Sequence, residues 1–556
     1  MILNETQDRP KMKKTIILGF DGASPDLIKQ WAEQNELPNF KKIIDTGIHG
    51  PLKTTIPPLT PCAWSSLITG KNPGKHGIYD FFYLNEQHEM KIHSSVNRSS
   101  KDLWEYLTEN NLKSFVFNVP FTYPPKNING IMVSDFTTPS TEADFTHPPE
   151  LKKEILEKHP DFKISEKSKF SENEKSKKEF QDEAFRLADL RYKVAIDLMK
   201  NQDFDFAMIV FMLIDHMQHW YWKYMDKNHP KYQKDSSLED TIKNAYKKMD
   251  SFLGKFIQTF PNHNIIIVSD HGGGPYYKDV TINKWLMDEN YLFLKKNRPF
   301  QKSIANKIGT NKLISKGLNL GLWKLISSSP RIKELIQKKL LLTYNDIDWD
   351  KTSAYSYGYY GPIYVNKDVV KSVEELQKLK NEIKEKLEKI KDPVTGEVLI
   401  KQIWDREELY SGEKSDILPD IVINMGDFSY ACSSTFPFSS NEIFSEPKTF
   451  KTGDHTQYGI FMACGSDIKK GKEIKNATIY DTAPTILHIF NIPIPKDMDG
   501  KVLREIFKED SEFVKPITYQ SNEGKYDKKE KAMQQKALTD KDEEKTKERL
   551  RDLGYL

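Results

Sequence analysis

After Thr15, the run Ile-Ile-Leu-Gly-Phe20 is apolar at every position and stops at Asp21-Gly22. A strand with one wet face alternates apolar and polar residues. One that is apolar throughout has to be covered on both faces, which is the condition of a parallel strand inside an α/β sheet. Ser114–Val119, Ile131–Ser134, Phe206–Phe211 and Ile265–Ser269 have the same character. Between these runs, Phe180, Ala184, Leu187, Ala188, Val194 and Leu198 recur at helical spacing, as do Leu238, Ile242, Ala245, Met249, Phe252 and Phe256. Strands of this kind alternating with amphipathic helices predict a mostly parallel sheet with helices on both faces. Ligands of such sheets bind outside the carboxyl ends of the strands. Asp21, Asp215 and the Asp270-His271 pair each follow one of the apolar runs, so three separated segments bring acids to one edge.

From Leu294 to Leu341, twelve Lys or Arg accompany the single acid Glu334, and the apolar residues are helix-spaced. This segment reads as a basic helical insertion over 291–344. A small α/β cap follows over 345–430, with Gly361–Asn366 as a strand, Ser372 to Ile390 as a charged helix and Asp392–Gly396 as a turn. Beyond 510 the chain becomes a charged tail, 511–556, which reads as solvated helix or disorder, with Leu553-Gly-Tyr-Leu556 as its one apolar anchor.

Composition narrows the function. Lys+Arg 83 against Asp+Glu 80 leaves a formal charge of +3 over 556 residues, so no global basic field favours a nucleic acid as partner. Cys62, Cys432 and Cys464 are too widely spaced for a disulfide scaffold or a thiolate zinc site, which points to a reducing cytoplasm. No apolar run approaches the length of a membrane span. The basic insertion reads first as a helical segment with a solvated face; the secondary readings are a lid that steers a polyanionic substrate towards the metals and, with Trp323 among its leucines, a surface that docks on anionic lipid.

The chemistry lies in acids and imidazoles. Asp215 and His219 stand at i and i+4 in Asp-His-Met-Gln-His, which puts both on one helix face. Ser269-Asp-His-Gly272 sets a second carboxylate and imidazole side by side at a strand end, and Gly272-Gly-Gly274 allows a sharp turn after them. Asp21 and His455, in Thr452-Gly-Asp-His455, complete six oxygen and nitrogen ligands without a cysteine. Such a set suits two divalent ions, Zn2+ in the first place and Mn2+ as the alternative, with coordination positions left for substrate. Taken singly, each element has an ordinary use as a cap, turn or solvated face. Their joint order carries the specificity.

That order, Asp21, Thr60, Asp215-x-x-x-His219, Asp270-His271, His455, resembles the two-metal alkaline phosphatase superfamily, and within it the nucleotide pyrophosphatase/phosphodiesterase branch. The likeness covers about residues 14–510. It includes Pro57-Pro-Leu-Thr-Pro-Cys-Ala-Trp-Ser-Ser-Leu-Ile-Thr-Gly70, followed by His76-Gly77, as well as Asp481-Thr-Ala-Pro-Thr-Ile-Leu and Asp499-Gly-Lys-Val-Leu503. The closing Arg549-Leu-Arg-Asp-Leu-Gly-Tyr-Leu556 is similar to the ends of a prokaryotic subgroup of phosphohydrolases or phosphomutases.

The resemblance implies an alkaline-phosphatase-like three-layer α/β sandwich, with the catalytic domain split over 14–290 and 431–510. It implies Thr60 as a metal-bound nucleophile that forms a phosphothreonine. One ion would sit on Asp215, His219 and His455, and the other on Asp21, Asp270, His271 and Thr60. Sulfatases of the superfamily place a cysteine at the nucleophile position, inside CxPxR. Here that position is Thr60, and Cys62 lacks the following Pro and Arg, so it reads as a small buried residue. Where nucleotide phosphodiesterases of this type carry a phosphate-binding Asn, this chain has Phe81, which either bounds a leaving-group pocket or packs in the core. The expectation is a metal-dependent phosphohydrolase or phosphodiesterase for a small phosphorylated or nucleotide-like substrate. A phosphomutase and a non-catalytic binding protein on the same fold are the alternatives, and the oligomeric state stays open.

Overall fold

The protein is described by a computed structural model over residues 14–166, 170–235, 237–296, 342–432, 438, 442–447, 450–521, 539–553 and 555. The basic segment therefore lies outside the described residues from 297 to 341, Trp323 included.

The centre is a sheet in which Gly130–Val133, Ser114–Phe117, Phe206–Phe211, Thr15–Phe20 and Asn264–Val268 lie side by side, all parallel. Ile17 is paired with Met208 on one side and with Ile266 on the other. Beyond Asn264–Val268, the strand Tyr458–Cys464 joins antiparallel, and Ile48–Lys53 pairs antiparallel with it in turn. The apolar runs form the parallel strands within a residue or two of their predicted bounds. The class, a mixed α/β sandwich around a mostly parallel sheet, is the one the strand pattern requires.

The two faces of the sheet carry separate cores because successive side chains of a strand point to opposite sides. Ile16, Leu18 and Phe20 belong to one cluster, together with Phe180, Leu187, Met217, Tyr221, Met249 and Phe252 from the helices Glu174–Lys200, Leu213–Met225 and Thr241–Thr259. Ile17 belongs to the other, with Trp64 and Leu67 of the helix Thr60–Thr69, Trp104 of Leu103–Glu109 and Leu487 of Thr482–Ile489. Each such large side chain contributes about 1.5–3 kcal/mol by leaving water, which pins the first strand between the layers and holds its carboxyl end, Asp21, at a fixed height.

Between the parts of this unit comes a four-stranded antiparallel sheet, in the order Ala354–Ser356, Ile363–Val365, Ile421–Met425, Ile400–Asp405. The helix Val373–Leu387 packs Ile383 and Leu387 into its core. The helix begins with a Ser372/Glu375 capping box.

The chain closes on the helix Asp540–Asp552. The expected solvated helix describes its outer face only, because Leu550 and Leu553 are buried in the same core cluster as Ile17. No helix among the described residues is long and apolar enough to cross a membrane.

Candidate metal centre

Asp21 follows directly on Phe20, where the first strand leaves the sheet. Gly22 has φ +74, and a Cβ on it would come within 3.0 Å of the Asp215 backbone, so glycine lets this loop lie against the helix Leu213–Met225. Gln218 of that helix donates from Nε2 to the Gly22 carbonyl at 2.7 Å, and its Oε1 accepts the Tyr246 hydroxyl at 3.1 Å. Asp215 and His219 lie one turn apart, as their spacing predicts, with His219 Nε2 at 3.2 Å from Asp215 Oδ2.

Asp270 and His271 follow the strand Asn264–Val268. The glycines after them do not make the expected sharp turn. Gly272–Pro275 is a short strand paired antiparallel with Gly453–Thr456, setting Gly273 opposite His455. The physical reason for the glycines is close approach: a Cβ on Gly273 would lie 2.3 Å from the Gln218 amide. This ribbon carries His455 to the sheet edge, where its Nε2 is 3.2 Å from His219 Nε2 and 3.4 Å from Asp215 Oδ1.

Thr60 opens the helix Thr60–Thr69, with Pro61 behind it in the first turn. Its Oγ1 lies 3.2 Å from His271 Nε2. Four residues on, Trp64 donates from Nε1 to Asp21 Oδ2 at 2.7 Å. Its ring packs over Gly19, where a Cβ would be 2.6 Å from Trp64 Cη2. All seven residues singled out from the sequence, Asp21, Thr60, Asp215, His219, Asp270, His271 and His455, are thus brought to one buried locus.

The imidazoles share one polarity. Nδ1 of His219 faces the Gly453 carbonyl at 3.1 Å, Nδ1 of His271 the Gly272 carbonyl at 3.0 Å and Nδ1 of His455 the Pro58 carbonyl at 2.7 Å. A carbonyl accepts, so each Nδ1 holds the proton and each Nε2 turns a lone pair inward. The Nε2 atoms of His219 and His455 then confront one another across 3.2 Å with no hydrogen between them, which repels unless a cation stands there. The acids make the same demand. Oδ1 of Asp21 and both carboxylate oxygens of Asp270 are buried without a hydrogen-bond partner, a state that costs several kcal/mol for a charged group. Burial, with the charges of neighbouring acids added to it, pushes both carboxyls well above their ordinary range. Burial holds His271 well below the usual imidazole value. Lone pairs, orphaned oxygens and suppressed charge together fit divalent cations. The groups of acids and imidazoles close enough to share an ion are Asp21, Asp270 and His271; Asp215, His271 and His455; and His219, Asp454 and His455.

Cys62 is fully buried and its thiol is pushed up to about 12 by burial, which suits a packing residue and not a nucleophile. Phe81 lies in an aromatic cluster, with its ring centroid 5.6 Å from Phe121 and 5.0 Å from Tyr555. His76 donates from Nε2 to Ser66 Oγ at 2.9 Å and accepts the Ile78 N–H at Nδ1, so it braces the turn after the Thr60 helix.

Sequence reasoning missed five contributors. Trp64 holds Asp21. Tyr359 and Tyr360, from the loop between Ala354–Ser356 and Ile363–Val365, both donate to the Asp454 carboxylate, at 2.8 and 3.1 Å. Lys451, 2% exposed, pairs with the same carboxylate at 3.1 Å. Tyr555 reaches Asp215 from just past the closing helix. Only Tyr555 left a trace, as the apolar anchor after a polar stretch. A cavity of about 490 Å³ opens beside the four-stranded sheet, lined by Tyr83, His93, Tyr357, Tyr364 and Lys414 among others, and none of the seven clustered residues lines it.

The family model for type I phosphodiesterase/nucleotide pyrophosphatase matches residues 15–437. The chain belongs to that family of phosphodiester-hydrolysing enzymes, within the alkaline phosphatase superfamily. No curated protein matches it. Among solved structures, human ectonucleotide pyrophosphatase/phosphodiesterase 5 is similar with 13% identity and a TM-score of 0.47, over 86% of this chain and 95% of that one. The murine protein gives 11% and 0.47 over 89% and 100%. An inactive variant of the murine protein in complex with AMP gives 12% and 0.46 over 86% and 95%.

Proposed function

We propose that this protein is a two-metal phosphoric ester hydrolase that acts through a phosphothreonine on Thr60, on a small phosphorylated or nucleotide-like substrate. The observation that carries the reading is the confrontation of inward-facing Nε2 lone pairs with partnerless carboxylate oxygens beside a helix-opening hydroxyl. Asp215, His219 and His455 would hold one ion, and Asp21, Asp270, His271 and Thr60 the other, Zn2+ before Mn2+ by donor type. When bound, the cations supply Lewis acidity that lowers the pKa of the Thr60 hydroxyl and of the attacking water.

Thr60 Oγ1 attacks phosphorus in line with the departing ester oxygen, forming the Oγ1–P bond as the P–O bond to the leaving group breaks. Water then attacks from the vacated side, breaks Oγ1–P and returns the hydroxyl. Two inversions give net retention. Thr60 sits at the positive end of its helix, which favours the added negative charge of the phosphoryl adduct. The family supports a nucleotide-like leaving group. The spacing of the three cysteines, none in a disulfide, supports the cytoplasm as its setting.

The test is turnover of the zinc- or manganese-loaded protein on p-nitrophenyl phosphate, bis-p-nitrophenyl phosphate and p-nitrophenyl sulfate. Hydrolysis of a phosphate ester, abolished by a chelator and absent on the sulfate, is expected. Silence on both phosphate esters would remove the hydrolase reading.

A further inference from the structure

The closing helix Asp540–Asp552 is fastened to the catalytic unit along its length. Glu543 Oε1 accepts the Ile92 N–H at 3.0 Å, and Thr546 Oγ1 donates to the Thr137 carbonyl at 3.2 Å. Arg549 donates to the carbonyls of Phe136 at 2.8 Å and Pro139 at 2.9 Å, and to that of Thr138. Past the helix the chain folds back, and the Tyr555 N–H bonds to the Leu550 carbonyl at 2.9 Å, closing the last turn. This turns the Tyr555 ring inward, onto Phe81 at 5.0 Å and Phe136 at 5.8 Å, and edge-on to His219 at 5.5 Å. There its hydroxyl donates to Asp215 Oδ2 at 2.5 Å.

Asp215 has no proton donor in its two imidazole neighbours. Nε2 of His219 and of His455 face its oxygens with lone pairs, since each proton sits on the Nδ1 that meets a backbone carbonyl. A carboxylate among lone pairs can swivel about its last bond. A single O–H on one oxygen removes that freedom and leaves the other oxygen aimed inward.

We infer that Tyr555 is a positioning residue of the metal centre: its hydroxyl fixes the Asp215 carboxylate, so the closing helix supplies a working part of a site otherwise built from the central sheet. The inference rests on the assignment of Asp215 as a metal ligand. Phe81 and Phe136 offer only hydrocarbon on this side, and Tyr555 is the one polar group their aromatic cluster presents to Asp215 among the described residues.

The experiment uses the full chain, stripped of metal and titrated with zinc against a chromophoric chelator, as wild type, Tyr555→Phe and Arg549→Ala. Turnover of the loaded proteins is then measured. The phenylalanine variant keeps the ring packing and should keep the thermal midpoint of wild type, while one zinc is held about tenfold more weakly and kcat falls about tenfold at nearly constant KM. Arg549→Ala, which loosens the helix without touching Asp215, should show a smaller loss of the same kind. Wild-type zinc affinity and kcat in Tyr555→Phe overturn the inference. So does a rise in turnover, which would make the segment a plug over the site. If the wild type itself binds no zinc, the ligand assignment fails first and takes this inference with it.

Discussion

Thr60 Oγ1 and His271 Nε2 lie 3.2 Å apart although 211 residues separate them in sequence. With the His271 proton held on Nδ1 by the Gly272 carbonyl, Nε2 accepts, and the Thr60 hydroxyl is oriented by the very atom assigned to the metal. Replacing Thr60 by Ala should therefore abolish turnover, a loss on the order of a thousandfold or more, yet leave metal content near two ions per chain, because six other ligands remain. Thr60→Ser keeps a hydroxyl and should retain partial activity. Turnover in the alanine variant within tenfold of wild type would take the nucleophile role away from Thr60.

Removal of an imidazole from each group tests the division of ligands. His219→Ala and His271→Ala should each lose about one ion and nearly all catalysis, since the two centres act on the same phosphoryl group. Elemental analysis of the purified variants reads this directly. Unchanged stoichiometry in both would mean that neither imidazole is a ligand.

The sheet and its edge were legible because their causes are local. A strand covered on both faces must be apolar throughout, and Thr15–Phe20 shows this without help from the rest of the chain. The same holds for Asp215 and His219, whose separation is one helical turn. Other parts were illegible because their cause is distant. The Gly272–Gly274 run reads as a turn, and nothing nearby in sequence announces that Gly273 has to pass the Gln218 amide or that the run pairs with the segment carrying His455. Tyr458–Cys464 escaped notice although it is a central strand, because it runs antiparallel and lies far along the chain from its neighbours Asn264–Val268 and Ile48–Lys53. The docking of Tyr555 depends on the carbonyls of Phe136, Thr138 and Pro139 converging on one guanidinium, which a run of charged residues conceals.

Trp64 offers a test of the carboxylates that does not depend on turnover. Its Nε1 is a hydrogen-bond donor to Asp21 Oδ2, while Oδ1 is buried without a partner. Trp64→Phe keeps an aromatic ring over Gly19 and deletes the donor, orphaning the second oxygen at a cost of about 1–3 kcal/mol. A cation on Asp21 compensates for the lost donor, so the destabilisation should be large in metal-free protein and small in the zinc-loaded form. Thermal denaturation of both forms measures the difference. Equal destabilisation with and without zinc would place Asp21 outside the reach of the metal.

Asp454 stands between the metal centre and the smaller sheet. Its Oδ1 accepts the His455 N–H at 2.8 Å, the Tyr360 hydroxyl at 3.1 Å and the Lys451 ammonium at 3.1 Å, and its Oδ2 accepts the Tyr359 hydroxyl at 2.8 Å. Lys451 also donates to the Tyr359 hydroxyl at 2.9 Å. Asp454→Ala deprives a buried ammonium of its carboxylate, a change that costs about 3–5 kcal/mol in other proteins, and frees the backbone that carries His455. The variant should melt several degrees below wild type and lose kcat more than KM. Adding Lys451→Met to the same chain, which removes the ammonium along with the Asp454 carboxylate it faces, should recover part of the thermal midpoint. It should not recover kcat, since Tyr359, Tyr360 and His455 still lack their common acceptor. A double variant that regains both would reduce the network to a stability device, and an Asp454→Ala protein that melts like wild type would sink the argument altogether.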